Sequence, residues 1–130
     1  MSLNKTGIFF LALTIITSCK TGRLTENTGN YDAPFKIIEH AQEYFGQKDY
    51  FKAIRLYKQL IEDYSAERDK YEKELAWATY EIGFCYLVMN RYDTAEPYFK
   101  KVIKDFFSHT APVKLSEDRL REIEKRKGKK

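Results

Sequence analysis

Little in this chain is suited to covalent or metal chemistry. Cysteine occurs twice in 130 residues, at Cys19 and Cys85. Cys85 stands inside the apolar run Ile82, Gly83, Phe84, Cys85, Tyr86, where a thiol serves as a small hydrophobe rather than as a nucleophile or ligand. Histidine is equally scarce. Neither His40 nor His109 has a second histidine, a cysteine or an acidic pair at ligand spacing, so no metal site is expected and His40 reads as a helix-surface residue. A glycine-rich phosphate loop, a nucleophile elbow and a histidine-paired nucleophile are all missing, and the acidic residues alternate with lysines as helix surfaces ordinarily do. This argues against an enzyme and against a cofactor. After residue 18 no apolar run is long enough to cross a bilayer as a helix, so the body of the chain is expected to be soluble. Charge of one sign is thin as well: the formal net charge is +4, and the excess gathers in Lys125, Arg126, Lys127, Lys129 and Lys130, a solvated end. Basic residues interleaved with aromatics across one face, which a nucleic-acid site needs, do not occur. The length is that of one domain.

What is present begins at the N-terminus. Lys5 supplies a positive start, Gly7 to Thr17 forms an apolar stretch too short for a bilayer span, and small residues follow, the layout of an export signal over residues 1–18. Ile16, Thr17, Ser18, Cys19 resembles the lipobox of bacterial lipoproteins, an aliphatic residue and two small ones before the cysteine that is acylated and becomes the new N-terminus. That resemblance implies a lipid on Cys19, which leaves Cys85 as the free thiol, so no internal disulfide forms and stability rests on packing. Lys20 stands where an aspartate retains enteric lipoproteins at the inner membrane, so the resemblance points to the outer membrane, facing the periplasm. Residues 19–33, with Gly22, Thr25, Asn27, Thr28, Gly29 and Asn30, carry almost no apolar periodicity and read as a tether reaching at most about 45 Å.

From residue 34 to 127 every long segment has helical periodicity, and residues 128–130 are a basic tail. Asp32 is the expected N-cap of a first helix with Pro34 in its first turn, followed by Ile37, Ile38, Ala41, Tyr44 and Phe45, and ended by Gly46. After a turn at Gln47, Lys48 and Asp49 the stripe resumes as Tyr50, Ala53, Ile54, Tyr57, Leu60, Ile61 and Tyr64. The same grammar returns: Leu75, Ala78, Ile82, Tyr86 and Met89, a turn at Asn90 and Arg91, then Tyr92, Ala95, Phe99, Val102, Ile103 and Phe106. Aligning the two turns puts Tyr50 over Tyr92, Ala53 over Ala95 and Tyr57 over Phe99, 42 positions apart. The chain is therefore expected to be all-α, two antiparallel helical hairpins in tandem. A charged helix from about Ser116, with Leu120 and Ile123 apolar, is expected to cap them.

These residues resemble the tetratricopeptide repeat, which places a small residue and an aromatic on its first helix and an aromatic, an alanine and an aromatic on its second. Ala41, Tyr44, Tyr50, Ala53 and Tyr57 fill those places in one copy, and Gly83, Tyr86, Tyr92, Ala95 and Phe99 in the other. Small residues are needed where paired helices cross closely, and aromatics fill the wedges between hairpins. The period exceeds the usual repeat of about 34 residues by about eight, assigned to Ala66–Glu74, so the first helix of the second hairpin is expected to begin early and protrude. The proline that often closes a repeat is missing.

The resemblance implies a partner-binding groove on the inner face of the first helices, at Phe35, Ile38, Gln42 and Phe45 in one copy and Trp77, Tyr80, Phe84 and Leu87 in the other. Such an apolar, aromatic lining suits a hydrophobic protein or peptide segment. The C-terminal helix or a second copy of the chain, in a homo-oligomer, would compete for it. Anchor, tether and repeats together resemble the BamD-type outer-membrane assembly lipoproteins. That resemblance implies a membrane-anchored adaptor for protein–protein interaction in the cell envelope, with outer-membrane protein assembly as one setting. The alternative is a permanent structural subunit of an envelope complex with no exchangeable ligand.

Overall fold

A computed structural model describes residues 34–129; the expected signal segment, Cys19, the tether, the Asp32 cap and Lys130 lie outside the described residues. The described residues form five α-helices and no strand: α1 (Pro34–Gly46), α2 (Tyr50–Tyr64), α3 (Arg68–Val88), α4 (Tyr92–Asp105) and α5 (Thr110–Lys127), with a 3-10 turn (Ser65–Glu67) between α2 and α3. Each helix packs against the next, and α1 and α5 each also touch α3. The second arms expected at Tyr50–Ile61 and Tyr92–Ile103 are α2 and α4, each the outgoing arm of a hairpin.

The two hairpin turns are built alike. Each first arm closes through a residue with positive φ, Lys48 at 63° and Asn90 at 59°, the left-handed conformation that ends a helix and reverses the chain. The hydrogen bonds repeat as well: Asp49 N–H donates to the Tyr44 carbonyl and Arg91 N–H to the Tyr86 carbonyl, both at 2.9 Å. Asparagine tolerates this conformation better than lysine, so the first turn carries more backbone strain than the second. Asp49 compensates by capping α2, its carboxylate accepting the Lys52 N–H at 3.2 Å.

Small residues sit where helices approach. Ala41, Ala53 and Ala95 are fully buried, and a Cβ on Gly83 would lie 3.0 Å from the Phe99 ring and 3.1 Å from Tyr98 Cβ. Tyr57 and Phe99, equivalent in the two copies, fill the core behind them with no exposed surface. α3 buries Leu75, Ala76, Ala78, Tyr80, Ile82, Cys85 and Leu87, residues that point all round its axis, because it lies between α2 on one side and α4 on the other. Its Thr79 hydroxyl is satisfied within the helix, donating to the Leu75 carbonyl at 2.7 Å.

The added segment becomes the 3-10 turn and the first turns of α3, which begins early as expected, with a break in helical geometry at Tyr71 (φ −117°, ψ 20°). This extension is clasped on both sides rather than protruding freely. Tyr71 packs edge-on against Tyr64 with centroids 4.7 Å apart, and Arg68 donates to the Asp105 carbonyl and lies 4.8 Å over the Phe106 ring. Glu72 meets His109 Nε2 at 3.1 Å. The C-terminal helix differs from expectation at its start. α5 opens at Thr110, six residues before Ser116, because Pro112 falls in the first turn, where a missing N–H costs no intrahelical bond.

Candidate partner-binding surface

Phe35, Ile38 and Gln42 recur at three- and four-residue steps along α1 and so share one face. On α3, Lys73, Trp77 and Glu81 recur at four-residue steps with Glu74 beside them. The two faces meet across a cavity of about 350 Å³, which Tyr57 of α2 closes from behind. Phe35 is 61% exposed at its rim, and Trp77 is half-buried in its wall.

A row of rings runs from this cavity along α3. Trp77 packs edge-on against Tyr80 (5.8 Å), Tyr80 stacks on Phe84 (6.0 Å), Phe84 stacks on Phe45 of α1 (5.6 Å), and Phe45 meets Tyr50 edge-on (5.3 Å). Aromatics from both repeats thus form one continuous wall. Of the eight groove positions, Phe35, Ile38, Gln42 and Trp77 line the cavity, while Phe45 and Phe84 are half-buried in the wall. Tyr80 and Leu87 are core residues, packed with Phe99, Val102 and Ile123. The reason is α5: it lies against α4 and α3, Ile123 completes the second core, and the Arg119 guanidinium lies 5.7 Å over the Phe84 ring. The capping helix therefore covers the second half of the surface and leaves the first half open.

Polar groups that the apolar periodicity hid stand at the base of the cavity. The Tyr57 hydroxyl is buried with no hydrogen-bond partner among the described residues. Glu81 carries its carboxyl into a mostly apolar setting, and burial pushes its pKa up to about 7. Burial and then the neighbouring Glu81 charge raise the Tyr57 phenol, and the same two causes push the Cys85 thiol up to about 12, a buried inert thiol. The signal for Tyr57 was in the repeat itself, since Phe99 fills the equivalent place without a hydroxyl.

The remaining sites are ordinary by comparison. Tyr44 is half-buried beside Lys52 (5.2 Å), Tyr86 stacks on Tyr98 (5.8 Å), and the Tyr92 hydroxyl donates to Asn90 Oδ1 at 2.7 Å. His40 Nδ1 lies 3.3 Å from Glu43 on the α1 surface. Larger hollows of about 740 and 660 Å³ run along α5; their charged walls include the pairs Arg126 with Glu122 and Lys127 with Glu96, each at 2.7 Å. No described helix is long and apolar enough to cross a membrane.

Searches of curated proteins and of solved structures returned no match. A family model does match: residues 41–66 and 77–106 fit the tetratricopeptide repeat, the first match beginning at Ala41 and the second six residues before Gly83. With α1–α2 and α3–α4 as successive hairpins over these two matches, the chain contains two tetratricopeptide repeats.

Proposed function

We propose that this chain is a lipid-anchored adaptor of the bacterial cell envelope, holding an extended or helical protein segment against the α1–α3 face. Tetratricopeptide repeats commonly serve as protein–protein interaction modules, and those that do are typically not enzymes. The observation that carries the reading is the open cavity walled by Phe35, Ile38 and Trp77, continuous with the ring row through Phe84 and Phe45. Apolar and aromatic walls of this kind supply most of the binding energy of a docked segment, and a lipid on Cys19 would supply locality. Outer-membrane protein assembly is the setting that anchor, tether and repeats favour.

The test is crosslinking in cells from a photoreactive residue at Phe35. One envelope protein should be captured, and Trp77→Ala should abolish its capture; capture of nothing, or of the chain's own α5 alone, would overturn the reading. A second reading, a permanent structural subunit, draws on Phe107 and Phe51, 80% and 60% exposed and outside the cavity lining. An assembly that survives dilution and is dispersed by Phe107→Ser would favour it.

A further inference from the structure

Resting on the reading of the α1–α3 face as a docking surface, we propose that its cavity receives the cationic head of a lysine or arginine side chain from the docked segment. The head would lie against Glu81, with Phe35 and Trp77 as flanking rings.

Three observations converge on this assignment. The first is the uncompensated polarity of the base. Glu81 has no hydrogen bond or ion pair among the described residues, and the Tyr57 hydroxyl beside it has no acceptor. A buried hydroxyl left unpaired is costly, and packing does not require it, because Phe99 fills the same place in the second repeat. An ionised Glu81 held by a cation would give that hydroxyl an acceptor.

The second is that the cation lining the cavity among the described residues, Lys73, is poorly placed to serve. Lys73 lines the rim, but two turns of helix, about 12 Å of rise, separate it from Glu81, and Glu74 at the same rim offsets its charge. The third is a precedent inside the molecule. In the next interval, between α3 and α5, the Arg119 guanidinium covers the Phe84 ring at 5.7 Å and donates to Glu122 at 2.7 Å. The α1–α3 interval holds the same ingredients, rings and a carboxylate, with the cation left out. A cation over aromatic faces is favoured most where water is excluded, and a docked segment covering the open rim would exclude it.

The assignment carries a pH dependence. The titratable groups around Glu81 are Tyr57 on α2, Tyr80 and Cys85 on α3, and Lys73 and Glu74 at the rim; α1 contributes Phe35, Ile38 and Gln42, none of which titrates. Tyr57, Tyr80 and Cys85 all have raised values and keep their protons near neutrality, so Glu81 is the base group whose charge changes between pH 6 and 8. Binding of a cation releases that proton and strengthens as pH rises.

Trp77 is the one tryptophan in the chain, so its emission reports the cavity directly. The full chain, in non-ionic detergent, is titrated with end-blocked peptides Ser-Leu-Ser-X-Ser-Leu-Ser in which X is lysine, arginine, norleucine or glutamate. At pH 8 the lysine and arginine peptides should bind about tenfold tighter than the norleucine peptide, and the glutamate peptide more weakly still. The preference should shrink at pH 6, vanish in Glu81→Gln, and weaken in Tyr57→Phe. Equal binding of all four peptides would overturn the cation site while leaving the docking surface intact. Binding of none would overturn it too, and the docking surface would then stand or fall on crosslinking from Phe35. A preference that persists in Glu81→Gln would remove Glu81 from the site. A shift of Trp77 emission on Lys20→Ala or Arg23→Ala without peptide would assign the cavity to this chain's own N-terminal segment instead of a partner.

Discussion

At the scale of single residues, Glu81 sets ionisation against packing. Its folded pKa of about 7 lies above its ordinary 4.5, so between those values the folded state holds a proton that the unfolded chain releases. Stability from this group is complete below pH 4.5 and is lost as pH rises through 7. Glu81→Gln should therefore raise stability at pH 8 by roughly 1–3 kcal/mol and change it little at pH 4.5, read as urea midpoints at the two pH values. Equal gains at both would show that the side chain's bulk, not its charge, is responsible. Gly83 is constrained by a different force. Helix propensity alone would favour a larger residue there, but the Phe99 ring and Tyr98 Cβ at 3.0 and 3.1 Å leave no room, and Tyr98 Cβ moves only with its backbone. A β-branched side chain adds a second atom to that clash, so Gly83→Val should lower thermal stability by about 2–3 kcal/mol, with loss of the cooperative melt as the sign of a parted α3–α4 crossing. Ala41, at the same place in the first repeat, already carries its methyl group fully buried.

At the scale of elements, α5 finishes what the repeats leave open. Without it the apolar surfaces of Phe99, Val102, Tyr80 and Leu87 would face water, since Ile123 and its neighbours Val113, Leu115 and Leu120 pack on them. Ending the chain after His109 should therefore lower the unfolding free energy by at least about 3 kcal/mol and create binding sites for a hydrophobic dye, measured on the truncated and full chains together. Unchanged dye binding would mean that α5 covers nothing that matters. The hairpins themselves were legible in the sequence because residues 42 apart do the same job: Tyr50 and Tyr92 open second arms, and Ala53 and Ala95 lie under the crossings. The start of α5 was less legible because Thr110 and Pro112 read as breakers, although a proline in a first turn breaks nothing. The lining of the candidate cavity was partly legible for the same reason as the hairpins: Phe35, Ile38, Gln42 and Trp77 follow helical steps on faces that end up opposed. Tyr80 and Leu87 lie in the same periodic series, and only the position of α5 decides that they are core. Glu81 was invisible, because a carboxylate in an amphipathic helix ordinarily faces water and periodicity cannot say when a neighbouring hairpin will cover it.

At the scale of the whole molecule, affinity and location are separable, and the proposed adaptor needs both. A single cavity of about 350 Å³ gripping one short segment gives modest affinity by itself, since a small contact must also offset the entropy of association. Confinement changes that balance. A domain held within about 45 Å of a membrane shares a thin layer with its partner, and the effective concentration in such a layer can raise the bound fraction without any new contact. The residues that would impose this are Ile16 to Cys19, which lie far in sequence from the cavity, so the two contributions can be removed one at a time. Cys19→Ser should abolish incorporation of radiolabelled palmitate and move the protein from the membrane pellet to the soluble fraction. Because Tyr57, Trp77 and Glu81 are untouched, peptide affinity measured by Trp77 emission should stay the same while crosslinking to the partner in cells falls several-fold. Palmitate labelling that survives in Cys19→Ser would end the lipoprotein reading, whereas full crosslinking without the lipid would show that the groove suffices and that anchoring serves some other purpose.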